Sequence, residues 1–405
     1  LAWLALLLST APAVARAQEA HGHADSTSKS LDLRLGASGI IVGTVASPGI
    51  SDRTLIEGYL TQPMIVAAIG SSSRRITGAA TINFEGLTLR RGELNAGIYG
   101  EGYVDRRHPH TWLHELVATG SVTAGSARFS ITAGKGFIPF GTDDPMSRPF
   151  VKYPVNHHLA QILERAGFIA AMRVGVVGVE GAAFNGDEPE SPSDMPDFAR
   201  IGDSWVIRGT VHARPGIELQ TSFAQVESPE LSFGGGLDHR KWSASGRFQN
   251  SRRYALVEWA RTSERDRGEE AFAFASVLAE GSAVLGAITL SARAERTERP
   301  EEERTANAFR TPRPHSDLGI AGRTRWDVLS AGVAANLTRG RGTFSPFIEI
   351  ATQRPTALER PTLFEPRDFY GASRLWSVSV GIRAGVGARH SRMGRYGVAA
   401  SELHH

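Results

Sequence analysis

The chain has 405 residues, with 45 Lys plus Arg against 42 Asp plus Glu and a net charge of +3. A balance this close argues against the basic field on which nucleic-acid binding rests, so no nucleic-acid partner is expected. Cysteine is absent, which removes disulfides, thiolate metal sites and cysteine nucleophiles together. No internal run approaches the roughly 18 apolar residues of a membrane helix, so a membrane would be met by strands or at the surface.

Residues 1–18, LAWLALLLSTAPAVARAQ, read as a secretory signal peptide. Their apolar stretch is Leu1–Leu8, and Ala13-Val14-Ala15 and Ala15-Arg16-Ala17 are small-x-small cleavage patterns. Export from the cytoplasm follows. Residues 19–30 are polar and unpatterned, including His21 and His23, and are expected to form a flexible mature N-terminus.

From residue 31 to about 400 the dominant signal has period two. In Trp376–Arg389, Trp376, Val378, Val380 and Ile382 share one face, while Ser377, Ser379, Gly381 and Arg383 share the other. The same alternation sets Trp205, Ile207 and Val211 against Arg208, Thr210 and His212, and Leu329, Ala331 and Val333 against Ser330, Gly332 and Ala334. Runs are expected at 32–44, 63–70, 75–86, 112–124, 126–137, 165–173, 175–185, 200–214, 216–228, 238–250, 251–263, 269–281, 283–296, 323–338, 342–354 and 376–388. Most exceed the five or six residues usual in soluble sheets and match the roughly nine to eleven that cross a bilayer at a tilt. A further short run, 392–399, is expected to complete or extend the closing strand. Barrels of this kind commonly end in an aromatic residue; the nearest here is Tyr396, followed by the polar tail 401–405.

The connections alternate in length. Gly125-Ser126, Pro215-Gly216, Asn250-Ser251, Gly281-Ser282 and Gly340-Arg341-Gly342 suit tight hairpins. Residues 185–200, 297–317 and 352–374 are long and polar. Short turns at one end and long loops at the other characterise outer-membrane barrels. A soluble sandwich array or propeller would show shorter strands and blade motifs, neither of which is present. The expected fold is all-β: a transmembrane antiparallel β-barrel of about 16 strands, in the range 14–18.

The stretch from Gly100 to Glu164 departs from this pattern and carries five of the chain's 13 histidines. His108 and His110 flank Pro109, and His114-Glu115 follow; His157-His158 and Asp143-Asp144 lie beyond the next hairpin. One full hairpin returns the chain to the side it left, so the two groups can approach each other. Imidazole and carboxylate donors suit a divalent metal such as Zn2+ or Cu2+. His108, His110, His114, Glu115, His157 and His158 are therefore candidate metal ligands, although the spacing matches no specific zinc motif. The competing expectation has no cofactor: these groups hydrogen-bond within a loop that narrows the lumen. Residues 135–152, with Pro139, Gly141, Pro145 and Pro149 and with Pro154 just beyond, cannot be one regular element. Residues 156–165 are expected to hold a short helix capped by Asn156. Folded into a barrel, this segment would form a constriction whose charged candidates are Lys135, Asp143, Asp144, Arg148, Lys152 and Arg165.

The block YVDRRHPHTWLHEL resembles a D-R-x-H-P-H-D-x-x-x-E-L motif of poorly characterised bacterial outer-membrane proteins, with Thr111 where that pattern has Asp. AGKGFIPFG, residues 133–141, is more loosely similar to phosphate-selective and related porins. The resemblance implies an outer-membrane barrel and supplies no substrate. The expected function is a porin-like channel for small polar or charged solutes in the bacterial outer membrane, in contact with lipid and capable of forming a homo-oligomer. The alternatives are a metal-binding barrel for divalent-metal uptake, efflux or tolerance, and an outer-membrane hydrolase. Catalysis is the weakest of the three, because His212 and the strand serines show no triad spacing.

Overall fold

Successive side chains of a strand point to opposite faces, so each alternating run must place one set inside and one outside. The computed structural model describes residues 31–47, 54–71, 73, 75–89, 92–94, 106–107, 110–189, 191–231, 234–302, 320–359, 361–388 and 392–400. The strands are β1 (Leu31–Ser47), β2 (Leu55–Ser71), β3 (Ile76–Asn83), β4 (Leu113–Ala124), β5 (Ala127–Gly136), β6 (Arg165–Val174), β7 (Val177–Phe184) and β8 (Ser204–Arg214). They continue as β9 (Ile217–Val226), β10 (Asp238–Gln249), β11 (Arg253–Asp266), β12 (Glu269–Leu285), β13 (Ile288–Glu302), β14 (Ile320–Ala335), β15 (Gly342–Ala357) and β16 (Leu375–Gly387). β14 resumes after Asn336 as Leu337–Arg339, which pairs with the start of β15. Each strand pairs antiparallel with the next, and β16 pairs with β1 from Gly36↔Gly387 to Ser47↔Trp376. The sheet is thus a closed barrel of sixteen strands.

Its burial is the inverse of a soluble protein's. Ile131, Val257 and Leu329 are 65%, 58% and 60% exposed, while Glu258 and Thr324 are fully buried. An apolar exterior with a polar interior is stable only with hydrocarbon outside. Trp205, Phe223 and Trp242 form an external aromatic ladder across β8, β9 and β10, with ring centroids 5.4 Å apart at both steps. Amphipathic rings of this type belong at a lipid–water interface.

Tight turns join β4–β5, β6–β7, β8–β9 and β14–β15 at one end, and the positive φ of Gly125 and Gly216 meets the demand of such turns. The Gly281-Ser282 pair is not a turn, as its composition suggested. Both residues lie within β12, opposite Ala255 and Tyr254, and the reversal falls at 286–287 instead. A Gly-Ser dipeptide is compatible with either state, and the cross-strand ladder decides. At the opposite end β11 and β12 are joined by the two residues 267–268, and the long connections 84–112, 137–164, 185–203 and 358–374 also lie there.

The run at 392–399 does not extend the closing strand. The β16–β1 ladder already satisfies the last sheet edge, which leaves the run nothing to pair with. Residues 392–400 enter the lumen instead, ending in a single 3-10 turn (Gly397–Ala399), with Met393, Arg395, Tyr396 and Val398 buried.

Candidate constriction and histidine–glutamate cluster

Residues 137–164, between β5 and β6, fold into the barrel rather than over its rim. Their proline and glycine content prevents regular structure, so their backbone N–H groups need partners other than a ladder. Wall carboxylates supply them. Glu349 on β15 accepts from Val151 N (2.6 Å) and Lys152 N (3.1 Å). Glu295 on β13 accepts from Val155 N (3.0 Å) and Asn156 N (2.7 Å). Glu258 on β11 accepts from Thr142 Oγ1 (2.5 Å) and Asn156 Nδ2 (2.8 Å). Further along the wall, Ser222 on β9 accepts from Gly141 N at 3.0 Å, and Arg208 on β8 donates to Gly141 O at 3.3 Å. Gly141 has φ +65°, and a Cβ there would meet Ala160 O at 1.7 Å, so this position requires glycine. The segment is therefore fixed inside the lumen along an arc of wall from β8 to β15.

The helix expected over 156–165 is one turn, His157–Ala160. Asn156 occupies its N-cap position without making a side-chain cap, and its Nδ2 donates to Glu258.

The charged candidates of the segment are mostly paired. Asp143 receives Arg392 through Nε at 2.9 and 3.0 Å and Nη2 at 2.7 Å, with Arg247 Nε at 3.2 Å. Burial pushes the Asp143 carboxyl up, but the guanidinium groups of Arg392, Arg247 and Arg395 together hold it below the usual carboxylate range. Arg148 lies 3.4 Å from Glu258 and 3.8 Å from Glu280 on β12. Lys152 Nζ is bonded to Glu93 (2.7 Å), Tyr59 Oη (2.7 Å) and Leu94 O (2.9 Å). Arg165 lies 3.4 Å from Glu188 and donates to Leu163 O and Gly186 O. A polar cavity of about 260 Å3 remains beside the segment, lined by Asp143, Arg148, Arg247, Tyr254, Glu349 and Arg383 among others.

The histidines gather at the end of the segment. At the start of β4 the register shifts, with Thr81 facing Glu115 and Ile82 facing Leu113, which leaves His114 as an extra bulged residue. The bulge turns both His114 and Glu115 inward, where each is at most 1% exposed. His110 Nδ1 and His114 Nδ1 lie 2.6 and 2.9 Å from the same oxygen, Glu164 Oε1. Glu164 Oε2 accepts from Thr111 N at 3.1 Å and from the Thr111 hydroxyl, with Lys135 Nζ 3.6 Å away. Glu164 immediately precedes β6 with φ +55°, a conformation rare for a residue with a side chain. Burial pushes its carboxyl up, but His114 and His110 hold it well below the ordinary range.

Of the other candidate ligands, His157 approaches this group, its ring centroid 6.4 Å from that of His110 and 5.1 Å from that of His158. His158 is half-buried, 3.8 Å from Glu188. Glu115 points elsewhere, accepting from Thr81 Oγ1 (3.1 Å) and Tyr396 Oη (2.7 Å). Asp144 caps the turn at 145–147 through Met146 N at 2.7 Å. His108 lies outside the described residues.

Residue pattern alone did not mark Glu164, Thr111 or the in-lumen residues 392–400 as parts of these sites. Arg392 bridges Asp143 and Glu218 on β9, donating to Glu218 at 2.7 and 2.9 Å. Arg395 donates to Glu218 at 3.0 Å and lies 3.6 Å from Glu180 on β7. Tyr396 Oη also accepts from Phe137 N at 3.1 Å, and Ser130 Oγ accepts from Val398 N at 3.1 Å. Residues 392–400 and the segment 137–164 are thus joined inside the barrel. The one available signal was the Arg392–Arg395–Tyr396 group after an already complete strand set.

A closed sixteen-stranded barrel with an apolar exterior and a loop folded into a polar lumen defines a porin-like fold. The anion-selective porin of Comamonas acidovorans is similar in structure, with a TM-score of 0.51 and 10% identity over 88% of this chain and 99% of that one. OprB of Pseudomonas putida, in its high-pH structure, is similar at 0.50 and 10% identity, over 88% of this chain and 94% of its own. Both likenesses concern the fold. No family model and no curated protein matches the chain.

Proposed function

We propose that this chain is an outer-membrane channel of the porin type, passing small polar or charged solutes through a lumen narrowed by residues 137–164, and that it is not an enzyme. The observation that carries this reading is the segment's anchoring inside the lumen along an arc of wall, by Arg208 on β8, Ser222 on β9, Glu258 on β11, Glu295 on β13 and Glu349 on β15. A loop held inside a lumen narrows it, and a cavity of about 260 Å3 with a charged lining lies beside the segment. Its named charges are the guanidinium groups of Arg148, Arg247 and Arg383 against the carboxylates of Asp143 and Glu349. That lining favours weak anion selectivity over cation selectivity. The test is insertion of refolded protein into planar bilayers. Discrete conductance steps, with a reversal potential of anionic sign in a KCl gradient, are expected. Absence of steps from folded protein would overturn the channel reading, and a cationic reversal potential would overturn the assignment of sign alone.

A further inference from the structure

We propose that His110, His114 and Glu164 form a binding site for one divalent transition-metal ion of the Zn2+ class, which clamps the end of the in-lumen segment to the barrel wall. One ring nitrogen from each histidine and one carboxylate oxygen lie within 4.8 Å of one another. Two imidazoles beside a carboxylate are a set that zinc and its first-row neighbours accept, with positions left for water. All three side chains are at least nine-tenths buried.

The hydrogen bonding seen in the protein does not satisfy this group on its own. A neutral imidazole carries one N–H and one lone pair. With both Nδ1 atoms directed at Glu164 Oε1, the two Nε2 atoms remain buried without a hydrogen-bond partner, and so does Asp144 Oδ2 nearby. Buried polar atoms are nearly always partnered, and three orphans of metal-ligand type beside one carboxylate call for a specific explanation. A cation at the histidines supplies it. Lys135 and the Thr111 hydroxyl engage Glu164 through its other oxygen, Oε2, Thr111 N is shared between Oε2 (3.1 Å) and Oε1 (3.4 Å), and Oε1 faces both rings. With Oε1 at the Nδ1 edge of both rings and the unpartnered Nε2 atoms left to the ion, the carboxylate orients the rings, as acidic partners of metal-bound histidines do. The three residues come from the approach to β4 (His110), the bulge at its start (His114) and the last position before β6 (Glu164). Through the Glu164 contact, a metal here joins two strands that are not neighbours and fixes the exit of the constriction segment. The site does not depend on whether the barrel conducts.

The experiment is calorimetric titration of the full chain, refolded in detergent micelles, with ZnCl2. It uses a background in which His21, His23, His404 and His405 are replaced by Asn, so that competing imidazoles are removed. One ion per chain is expected. Glu164→Gln should weaken binding by about 10–100-fold, and His110→Gln with His114→Gln should abolish stoichiometric binding. Absence of Zn2+ binding by the folded background protein, or unchanged binding in the double variant, overturns the proposal and leaves a hydrogen-bonded network only. Should the variants not refold, X-ray absorption of the Zn2+-loaded background protein decides. Two imidazoles with oxygen ligands are expected, and a shell with no imidazole or with one overturns the site.

Discussion

If the barrel conducts as proposed, replacing Arg392 by Ala should release residues 392–400 from the lumen and shift selectivity toward cations. Arg392 makes bidentate contacts with two carboxylates, Asp143 at 2.7–3.0 Å and Glu218 at 2.7 and 2.9 Å. Its removal leaves both acids in the lumen with Arg247 and Arg395 as their remaining close cations. Breaking a buried, hydrogen-bonded ion pair on one side costs about 3–5 kcal/mol. The barrel ladder does not run through this contact, so the cost falls on the docking of 392–400. At about 1.4 kcal/mol per tenfold, docking weakens by about a hundredfold or more. Two carboxylates then lose their compensating charge next to the cavity lined by Asp143 and Arg247. Single-channel recording should show larger conductance steps, and the reversal potential in a KCl gradient should move in the cationic direction. Arg392→Lys should be intermediate, since a lysine keeps the charge but loses the planar fork that spans two carboxylates. If folded Arg392→Ala has the conductance and reversal potential of the parent protein, residues 392–400 have no part in the permeation path.

Two further outcomes test the same physics elsewhere. Asp143 is held below its ordinary carboxyl range by Arg392, Arg247 and Arg395 against its burial. A folded pKa below the unfolded one contributes stability above the unfolded value of about 3.9, and this is lost as pH falls through the folded value. Conductance should therefore be level from about pH 5 to 8 and rise only below about pH 4, while a rise between pH 6 and 7 would mean that a histidine controls docking instead. On the outer face, Leu329→Arg places a charge on an exposed apolar position of β14. It should lower unfolding free energy in lipid vesicles by about 2–4 kcal/mol if the site is near the bilayer midplane, and no loss would place this face out of the hydrocarbon.

Much of the architecture is legible in the residues, and the chemistry of the sites much less so. Period two is a property of extended chain itself, so Trp205, Ile207 and Leu329 declare an apolar face before any neighbour is known, and strand length declares the bilayer. Sixteen runs read in this way correspond to sixteen barrel strands. Where a local signal was compatible with two states, as at Gly281-Ser282 and at residues 392–399, pairing elsewhere in the sheet decided. A ladder partner held the first in a strand, and the lack of any free edge excluded the second from the sheet.

Amino-acid pattern by itself determined which side chains meet lipid and which meet the lumen, because that choice depends only on alternation and polarity. It also marked the proline-rich segment as irregular, since proline forbids a ladder wherever the chain goes. Tertiary structure alone decided which lumen charges meet. Asp143 and Asp144 are adjacent in sequence, yet one faces the arginines of residues 392–400 and the other the histidine cluster. Glu164 joins His110 and His114 across about fifty residues of chain only because a bulge at the start of β4 turns His114 inward. Those encounters depend on register, on closure of the barrel and on the path of a loop through it, none of which any short stretch of residues contains.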